Sequence, residues 1–450
     1  MMVEGGDASW RLRVERLSFR GVGWGVEAAA SGEAGRRWRI GKVLPGEEVV
    51  ARPGEAPGWA VLVEVVKASG ERCASGCAQD LVCPGCQLRA MREGAQRTWK
   101  REQWRAALWR LAGIGPERVG EVVAGALSEG YRQRASVQWV KVGGDWMPTL
   151  GASGVDLRRC PAQCKGSRAL LAAVSEVLGG WPDAPGRLAG RVAVGAAGAR
   201  VGFVLERGQV WPPALVDVAE ALASRVDGVS VEVAVAGSER ARTLRWERVL
   251  GDGRLVLGRE AGGLLLTAQD QAWTPVSWAN AEVVRGVLLE MLAEAQGGGR
   301  LVGAVEVGCG VGTHSFAVAE AVGWLVGIDA SRAAIASAEE NAARAGVAAE
   351  VVRFRVGHDQ RALRRIVAEG CRAELLVLHG MRRPYGDGVC GLAGALGARV
   401  VLVVAPGVYA LAGDVAALRR YGYALQRIAV VDTLPHTYHA MAVAWLRRGD

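Results

Sequence analysis

The stretch 305–341 constrains the fold of this chain more than any other part of the sequence. It begins as an apolar strand, continues through the glycine loop 308–312, and then forms a predicted helix from about Ser315. A second apolar strand, 324–328, leads to Asp329. Glycines after a strand let a helix N-terminus approach a ligand closely, and an acid that ends the next strand can accept hydrogen bonds from ribose hydroxyls. The stretch therefore predicts a nucleoside-binding site in an α/β domain.

Three interpretations of the glycine loop can be compared. An ordinary tight turn between strand and helix would require no further signals, and a dinucleotide site would have a third glycine where this chain has Thr313. The acid Glu306 before the loop and the pair Glu340-Asn341 beyond it favour the nucleoside site of a class I methyltransferase. The candidate cofactor-binding residues in this stretch are Gly308, Gly310, Gly312, Thr313 and Asp329.

Composition limits what the rest of the chain can be. Half of the 450 residues are apolar, which is enough for sizeable cores in about two to four domains. The net charge of +9, carried mostly by arginine, favours a phosphate-rich partner, although arginine usage also follows genome composition. The apolar run 400–413 is too short to span a bilayer, and residues 1–10 do not resemble a signal peptide. We therefore expect a cytoplasmic protein with no membrane partner and without disulfides among its nine cysteines.

Residues 10–67 contain short alternating apolar and polar runs separated by glycines, which predicts a small β-barrel within residues 1–70. The Pro45-Gly46 turn and the glycines around Trp24 resemble those of a TRAM domain, an OB-like RNA-binding module. The alternative is a barrel that only supports its neighbour.

A group of cysteines follows the predicted barrel. Cys77, Cys83 and Cys86 lie on one short segment, and Cys160, followed by proline, is the natural source of a fourth thiolate. Four thiolates fit either a 4Fe–4S cluster or a structural zinc ion, and spacing alone hardly separates the two. Buried thiols without a ligand are the third interpretation.

The sequence divides into three predicted domains. The barrel, 1–70, is followed by a mixed α+β domain, 71–268, with a run of alternating strands from Tyr131 to about Leu266. A Rossmann-like domain with a doubly wound parallel sheet occupies 269–450. A helix over about 92–112 places Trp104, Leu108 and Leu111 on one stripe and is expected to pack on the last domain. Its many arginines form either a solvated face or a phosphate-binding face.

This order of barrel, cysteine spacing, late Cys-Pro and methyltransferase domain resembles the RNA uracil-5-methyltransferase family, whose best-known members modify 23S rRNA and tRNA. The resemblance spans nearly the whole chain. It implies a 4Fe–4S cluster on Cys77, Cys83, Cys86 and Cys160 rather than zinc, and S-adenosylmethionine as the methyl donor. It also implies structured RNA as the partner of a protein that we expect to be monomeric.

The chain departs from the family at the two residues that carry out the reaction. In the family a cysteine thiolate adds to carbon 6 of uracil, the enolate attacks the methyl group, and a carboxylate removes the carbon 5 proton. By position, the nucleophile is replaced here by Pro406 and the base by Met441. No cysteine follows Cys390 and no glutamate follows Glu374, so a shifted alignment does not restore either residue.

Other family contacts are also changed. The family's strand-end Asp-Pro-Pro-Arg corresponds to His379-Gly380-Met381-Arg382, which adds His379 to the cofactor-binding candidates. A cofactor-contacting glutamine corresponds to Pro275, the glycine-loop asparagine to Thr313, and the strand-end glutamate to Asp329. We therefore expect an RNA-binding family member that is degenerate for uracil-5 methylation. The alternatives are an active RNA methyltransferase of different chemistry, with His379 as a base, and an iron–sulfur redox sensor.

Overall fold

The structure, a computed structural model, describes residues 9–27, 35–151, 153–181, 186–205, 214–235, 245–259, 264–269, 272–297, 299–380 and 382–449. The described strands are β1 (Trp10–Leu17), β2 (Gly23–Glu27), β3 (Arg37–Ile40), β4 (Glu48–Pro53), β5 (Trp59–Lys67), β6 (Val123–Ala124), β7 (Arg134–Val142), β8 (Asp145–Thr149), β9 (Arg187–Val194), β10 (Ala199–Leu205), β11 (Val229–Val235), β12 (Arg245–Leu250), β13 (Arg254–Arg259), β14 (Leu265–Gln269), β15 (Ala304–Val307), β16 (Leu325–Asp329), β17 (Val352–Val356), β18 (Leu375–His379), β19 (Val400–Ala405), β20 (Tyr423–Asp432) and β21 (Met441–Arg448). The described helices are α1 (Glu93–Ala112), α2 (Lys165–Gly179), α3 (Ala214–Ala223), α4 (Trp278–Gln296), α5 (Ser315–Val322), α6 (Arg332–Arg344), α7 (Asp359–Ala368), α8 (Asp387–Cys390), α9 (Ala393–Leu396) and α10 (Val408–Arg420).

The first five strands close into a barrel in the order β1-β2-β3-β5-β4, which confirms the predicted N-terminal barrel. Alternate residues of each strand point inward, and Leu12, Val14, Trp38 and Ile40 are among the side chains that fill the interior. Alternation of this kind is what a small closed sheet requires, because one face of every strand is buried.

The central part of the chain is a six-stranded sheet in the order β12-β11-β10-β9-β7-β8. The run of strands expected between Tyr131 and Leu266 is interrupted by helices α2 and α3, which pack on this sheet. Helix α2 buries Leu170, Leu171 and Val174 against it. These residues follow a helical spacing that an all-strand interpretation overlooks.

The C-terminal part is an eight-stranded sheet in the order β17-β16-β15-β18-β19-β21-β20-β6. The first five strands in that order run parallel, and β21 is antiparallel to both of its neighbours. Hydrophobic cores cover both faces of the sheet. This is the Rossmann-like arrangement predicted for this part of the chain.

Two early elements contribute to the C-terminal sheet. Strand β6 pairs with the edge of β20, and helix α1 buries Trp104 and Leu108 in the same core as residues of α10. Leu111 was expected on the same buried stripe, but that expectation is wrong: it lies in the last turn of α1 and is 45% exposed.

The cysteine-bearing loop between β5 and α1 joins the barrel to the rest of the molecule. Lys42 of the barrel donates hydrogen bonds to Asp80 Oδ1 at 2.9 Å and to the carbonyl of Cys86. On the barrel side, the fully buried Glu47 carboxylate pairs with Arg72. Among the described residues, none of the helices is both long and apolar enough to cross a membrane.

Candidate functional site

The glycine loop lies at the carboxyl edge of the parallel strands, between β15 and α5. Gly308 and Gly312 both have positive φ, and each is held against a neighbour. A Cβ on Gly308 would lie 2.8 Å from the carbonyl oxygen of His379, and one on Gly312 would lie 2.9 Å from the Phe316 ring. Within the part of the chain that the structure describes, a Cβ on Gly310 would meet no atom within 4 Å, so this glycine borders open space. The loop thus leaves room for a ligand above Gly310.

Asp329 ends β16 directly beside this loop. Its Oδ2 accepts a hydrogen bond from the Gly310 amide at 3.0 Å, and its Oδ1 accepts one from the Ser331 amide at 2.8 Å. The carboxylate is therefore fixed in orientation, and each oxygen keeps a lone pair for a further donor. This geometry suits the ribose contact that the sequence predicts. Thr313 is nearly buried at the end of the loop.

A buried polar cluster lies beneath the glycine loop. The Glu306 carboxylate is fully buried, accepts a hydrogen bond from Ser315 Oγ at 2.5 Å, and lies 2.6 Å from His379 Nε2. The contact with His379 is close but is not aligned as a hydrogen bond. The His379 ring stacks on His314, with centroids 4.9 Å apart, and the Tyr385 hydroxyl donates to the His379 carbonyl at 2.6 Å.

Burial shifts the pKa of two groups in and beside this cluster, His314 and Cys309. Burial lowers the pKa of His314 well below its ordinary value, and repulsion from His379 and Arg285 lowers it further. His314 is consequently neutral at pH 7. Burial raises the pKa of the Cys309 thiol well above its ordinary value, and the nearby carboxylates of Glu306 and Asp329 raise it further. Cys309 is therefore a thiol rather than a reactive thiolate.

Pro406 and Met441, the two positions at which the sequence predicts a departure from the uracil-5 chemistry, lie side by side. Ala405, the last residue of β19, pairs with Ala442 of the antiparallel strand β21. Because the two strands are antiparallel, the residue after Ala405, Pro406, lies opposite the residue before Ala442, Met441. Both lie at the carboxyl edge of the sheet, beside the strand end that bears His379, and the Pro406 ring would be 3.5 Å from a Cβ on Gly380. Met381 of the same motif lies outside the residues that the structure describes.

The segment 434–439 before β21 is held by elements from the first part of the chain. The His436 amide donates to Gln96 Oε1 of α1 at 2.8 Å, and the His436 carbonyl accepts from the Leu88 amide of the cysteine loop at 2.9 Å. The buried Lys100 of α1 lies 2.5 Å from Asp432 Oδ1. These contacts fix the start of β21, and with it Met441.

Cationic side chains surround this edge. Burial lowers the pKa of His439 to about 4, and repulsion from Arg382, Lys100 and Arg132 contributes. Two of these cations, Arg132 and Arg382, have access to solvent, whereas Lys100 is buried against Asp432. Accessible guanidinium groups at this edge attract phosphate groups.

A second cationic group lies at the start of β7. The Arg134 guanidinium carbon is 5.2 Å from the ring centroid of Trp273, whose side chain is 60% exposed. Burial lowers the pKa of Arg134 to about 10, with further lowering from Arg191 and Arg132. Nearby, Pro275, which stands where the family has a cofactor-contacting glutamine, lines a narrow cavity with Gln133 and Trp278.

The structure brings three of the four predicted metal ligands into one neighbourhood. Gln79 of the cysteine loop exchanges two hydrogen bonds with the backbone of Asp156, at 2.9 and 2.7 Å, which holds the loop next to Cys160. Burial raises the pKa of Cys160 and of Cys86, and thiolate repulsion contributes in both, from Cys83 and from Cys160 respectively. Cys77 lies at the start of the same loop, where its carbonyl accepts from the Asp80 amide.

A backbone amide points at one of these sulfurs: the Gly85 amide donates to Cys83 Sγ at 3.3 Å. Within the described residues, however, His, Cys, Asp and Glu side chains form no group of three or more that could hold a metal ion.

Sequence reasoning missed most of the buried cluster. Glu306 was singled out as part of the loop pattern, but His314, Ser315 and Tyr385 were not. Their association depends on β15 and β18 being neighbours in the sheet, and the order of strands along the chain does not reveal that. The buried pair of Lys100 and Asp432 was missed for the same reason, because its members lie 332 residues apart in sequence.

The parallel sheet, the glycine loop and the strand-end acid define a methyltransferase fold of the S-adenosylmethionine-dependent type. A family model described as a methyltransferase domain matches residues 302–368. The chain also resembles the crystal structure of the Pyrococcus abyssi tRNA (uracil-54, C5)-methyltransferase in complex with S-adenosyl-L-homocysteine, with a TM-score of 0.70 at 19% sequence identity. That alignment covers 97% of this chain and 100% of the other.

Curated relatives match nearly the whole chain. The 23S rRNA (uracil(1939)-C(5))-methyltransferase RlmD of Chromohalobacter salexigens is 28% identical, over 97% of this chain and 89% of the relative. The enzyme of the same name from Pseudomonas entomophila is 29% identical, over 98% and 94%. The chain is thus similar over nearly its whole length to RNA uracil-5-methyltransferases.

Proposed function

We propose that this protein binds structured RNA and S-adenosylmethionine in the cleft of its family but does not methylate carbon 5 of uracil. One observation carries the proposal. Pro406 and Met441, which replace the nucleophile and the base, lie next to each other in the β19–β21 register at the cofactor edge of the sheet. Their adjacency supports assigning both positions to the reaction centre.

Neither side chain can perform its role in the reaction. Carbon 5 of uracil becomes nucleophilic only after a thiolate has added to carbon 6, and proline has no atom that can add. A methionine thioether does not accept the carbon 5 proton at neutral pH, because it is only a weak acceptor. Removing a covalent nucleophile costs on the order of 10⁶ in rate, and the loss of the base adds to that effect.

The cofactor site is better preserved than the reaction centre. The open space above Gly310 and the oriented carboxylate of Asp329 fit the nucleoside of S-adenosylmethionine. Thr313, Pro275 and His379 change individual contacts around it. We expect binding that is weakened relative to an active family member.

The cysteine group fits a 4Fe–4S cluster. All four donors, Cys77, Cys83, Cys86 and Cys160, are thiols, and the Gly85 amide already donates to the Cys83 sulfur, as amides do around protein-bound clusters. Four thiolates would also suit a structural zinc ion, so the preference for a cluster rests on the resemblance to the RNA uracil-5-methyltransferase family. The role of the cluster would be to hold the cysteine loop next to Cys160.

RNA binding is supported by the charge around the same edge. Arg132 and Arg382 lie near enough to His439 to lower its pKa, and Arg134 lies over the exposed Trp273. Guanidinium groups bind phosphates, and an exposed indole can stack on a base. Together these groups suit a folded RNA whose target nucleotide reaches the sheet edge.

The test is an incubation of the purified chain with labelled S-adenosylmethionine and total RNA, followed by nucleoside analysis. We expect no 5-methyluridine above background, together with measurable binding of RNA and of S-adenosylmethionine. Formation of 5-methyluridine would overturn the proposal outright. Failure to bind RNA in dilute salt would contradict the proposed RNA binding.

A second candidate function is favoured by the close pair of Glu306 and His379. A buried carboxylate beside an imidazole at the cofactor edge is an arrangement that can accept a proton from a nitrogen or oxygen nucleophile. Methylation at such an atom needs no covalent adduct. In the same experiment, a methyl group on any atom other than carbon 5, lost in His379→Asn, would establish this function instead.

A further inference from the structure

Four side chains on the outside of the barrel alternate between arginine and tryptophan in a single row. Arg16 of β1 is the register partner of Trp24 of β2, Trp24 pairs with Arg39 of β3, and Arg39 pairs with Trp59 of β5. The guanidinium carbons of Arg16 and Arg39 lie 5.5 and 5.4 Å from the ring centroid of Trp24, and that of Arg39 lies 5.9 Å from Trp59. We refer to these four residues as the Arg–Trp row.

The backbone directs the Arg–Trp row outward. The register of β1 and β2 shifts between Val14 and Arg16, so a bulge turns Arg16 to the outer face. Glycines flank Trp24 on both sides, and a Cβ on Gly23 would lie 2.3 Å from the inward-facing Val43 side chain. The barrel interior therefore has no room for side chains at the two glycines, and the Trp24 side chain between them points outward.

The charge of the Arg–Trp row is not neutralised. Among the described residues, neither Arg16 nor Arg39 forms an ion pair, whereas the neighbouring Arg37 lies 3.9 Å from Glu15. Both row arginines are exposed, and both tryptophans are half-buried. An indole ring attracts a guanidinium group that lies within about 6 Å of the ring centroid. This cation–π contact leaves the guanidinium N–H groups free to bind an anion.

We propose that the Arg–Trp row binds unpaired nucleotides of RNA, with bases stacked on the indoles and phosphates on the guanidinium groups. The inference rests on the proposed RNA-binding function and adds the surface and the single-stranded character of the segment it binds. Strands lie about 4.8 Å apart, so the row spans roughly 14 Å, which is enough for two to three splayed nucleotides. A duplex does not fit, because its base faces are already stacked.

The test uses the full chain and two fluorescent probes, a twelve-nucleotide oligouridylate and a blunt-ended RNA duplex of the same length. Trp24→Leu combined with Trp59→Leu is expected to weaken oligouridylate binding by at least tenfold, because each stacked base contributes a factor of about 5 to 150. Duplex binding is expected to change less than threefold. Trp109→Leu, the same substitution at a 62% exposed tryptophan of α1, is the matched control and should change neither affinity.

A second variant tests the phosphate contacts without disturbing the aromatic residues. Arg16→Gln with Arg39→Gln is expected to reduce the slope of log K against log salt by about 1.4 for oligouridylate, since each phosphate contact to a single strand contributes about 0.7. Circular dichroism and thermal unfolding will show whether the barrel remains folded in each variant.

The outcomes separate this inference from the proposed function. If the tryptophan variant binds oligouridylate like the natural protein while the chain still binds RNA, the inference is overturned and the proposed function stands. Equal weakening for duplex and oligouridylate would also overturn it, because the row would not distinguish unpaired bases. If the natural protein binds neither probe at low salt, both the inference about the Arg–Trp row and the proposed RNA-binding function are contradicted.

Discussion

In the proposed assignment, Pro406 and Met441 occupy the positions of the nucleophile and the base, and the strands that carry them are in place. We therefore expect Pro406→Cys to form a covalent adduct with 5-fluorouracil RNA and expect the natural protein to form none. The adduct requires only a thiolate at the end of β19. Adding Met441→Glu should allow turnover on ordinary uracil. Denaturing gel electrophoresis and methyl incorporation report the two steps.

Pro406→Ser is the matched control for that experiment. It restores the same backbone N–H and a small polar side chain but provides no thiolate, so it should trap no RNA. An adduct with the serine variant, or with the natural protein, would show that the nucleophile lies elsewhere.

Asp414 of α10 gives a prediction about pH. Its carboxyl is fully buried, and burial raises its pKa to about 6 from an ordinary 3.8. The folded state therefore holds the proton more tightly than the unfolded state, so this group's stabilising effect is present below pH 4 and is lost as the pH rises to about 6. The loss amounts to about 3 kcal/mol. Asp414→Asn keeps the acceptor for the Gly386 amide and should remove this pH dependence, which denaturant unfolding between pH 4 and 7 can measure.

Asp387→Asn provides the comparison for Asp414. Asp387 lies on the neighbouring helix α8 but is 57% exposed and pairs with Arg420 at the surface. Its substitution should leave the pH dependence unchanged. An unchanged slope in Asp414→Asn, or a lost slope in Asp387→Asn, would contradict the assignment.

At the scale of elements, the buried ion pair between α1 and β20 fixes the docking of the helix. Lys100 is fully buried, and burial lowers its pKa although Asp432 opposes the shift. Lys100→Met would leave the Asp432 carboxylate buried without its partner, so we expect the free energy of unfolding to fall by about 3–5 kcal/mol. Chemical denaturation measures the change.

The double variant Lys100→Met with Asp432→Asn distinguishes an unpaired charge from lost packing. Replacing a buried pair with neutral groups is often close to neutral, so most of the lost stability should return. A double variant as unstable as Lys100→Met alone would mean that packing rather than charge holds α1.

The elements that could be predicted from the sequence are those specified by local patterns. The glycine loop, the barrel strands and the doubly wound sheet each depend on periodicity or on glycine and proline positions over fewer than about fifteen residues. The packing of α1 on the last domain was expected, but its particular contact with β20, and that of Glu306 with His379, could not be predicted, because they depend on which distant elements become neighbours. At Leu111 the spacing predicted burial, but the buried stripe continues from Leu108 to Ala112 and leaves Leu111 exposed.

At the scale of the whole molecule, the cysteine group gives a prediction about composition. Anaerobically purified protein should be brown and contain about four irons per chain, with visible absorbance that bleaches on reduction or exposure to air. Cys160→Ser should lower the iron content, whereas Cys371→Ser, a half-buried cysteine outside the group, should not. Colourless protein with one zinc per chain would contradict the cluster. Metal analysis and absorbance spectroscopy distinguish the cluster from a zinc site.

The net charge of +9 gives a prediction about the binding of structured RNA as a whole. Affinity should fall by about 10³–10⁵ between 50 and 200 mM salt if 6–10 phosphates are contacted. Fluorescence anisotropy over a salt series provides the slope. Affinity that is indifferent to salt would show that the arginine-rich surface is not the binding surface.

The pairing of β6 with β20 has a consequence for the order in which the protein is made. During synthesis, β6 and α1 leave the ribosome about 300 residues before the strand they complete. They must remain available, without a partner, until the last part of the chain is translated. A fragment that begins at the predicted boundary near residue 269 would lack both and expose the edge of β20. Exposed strand edges promote association between chains, so such a fragment should aggregate when expressed alone.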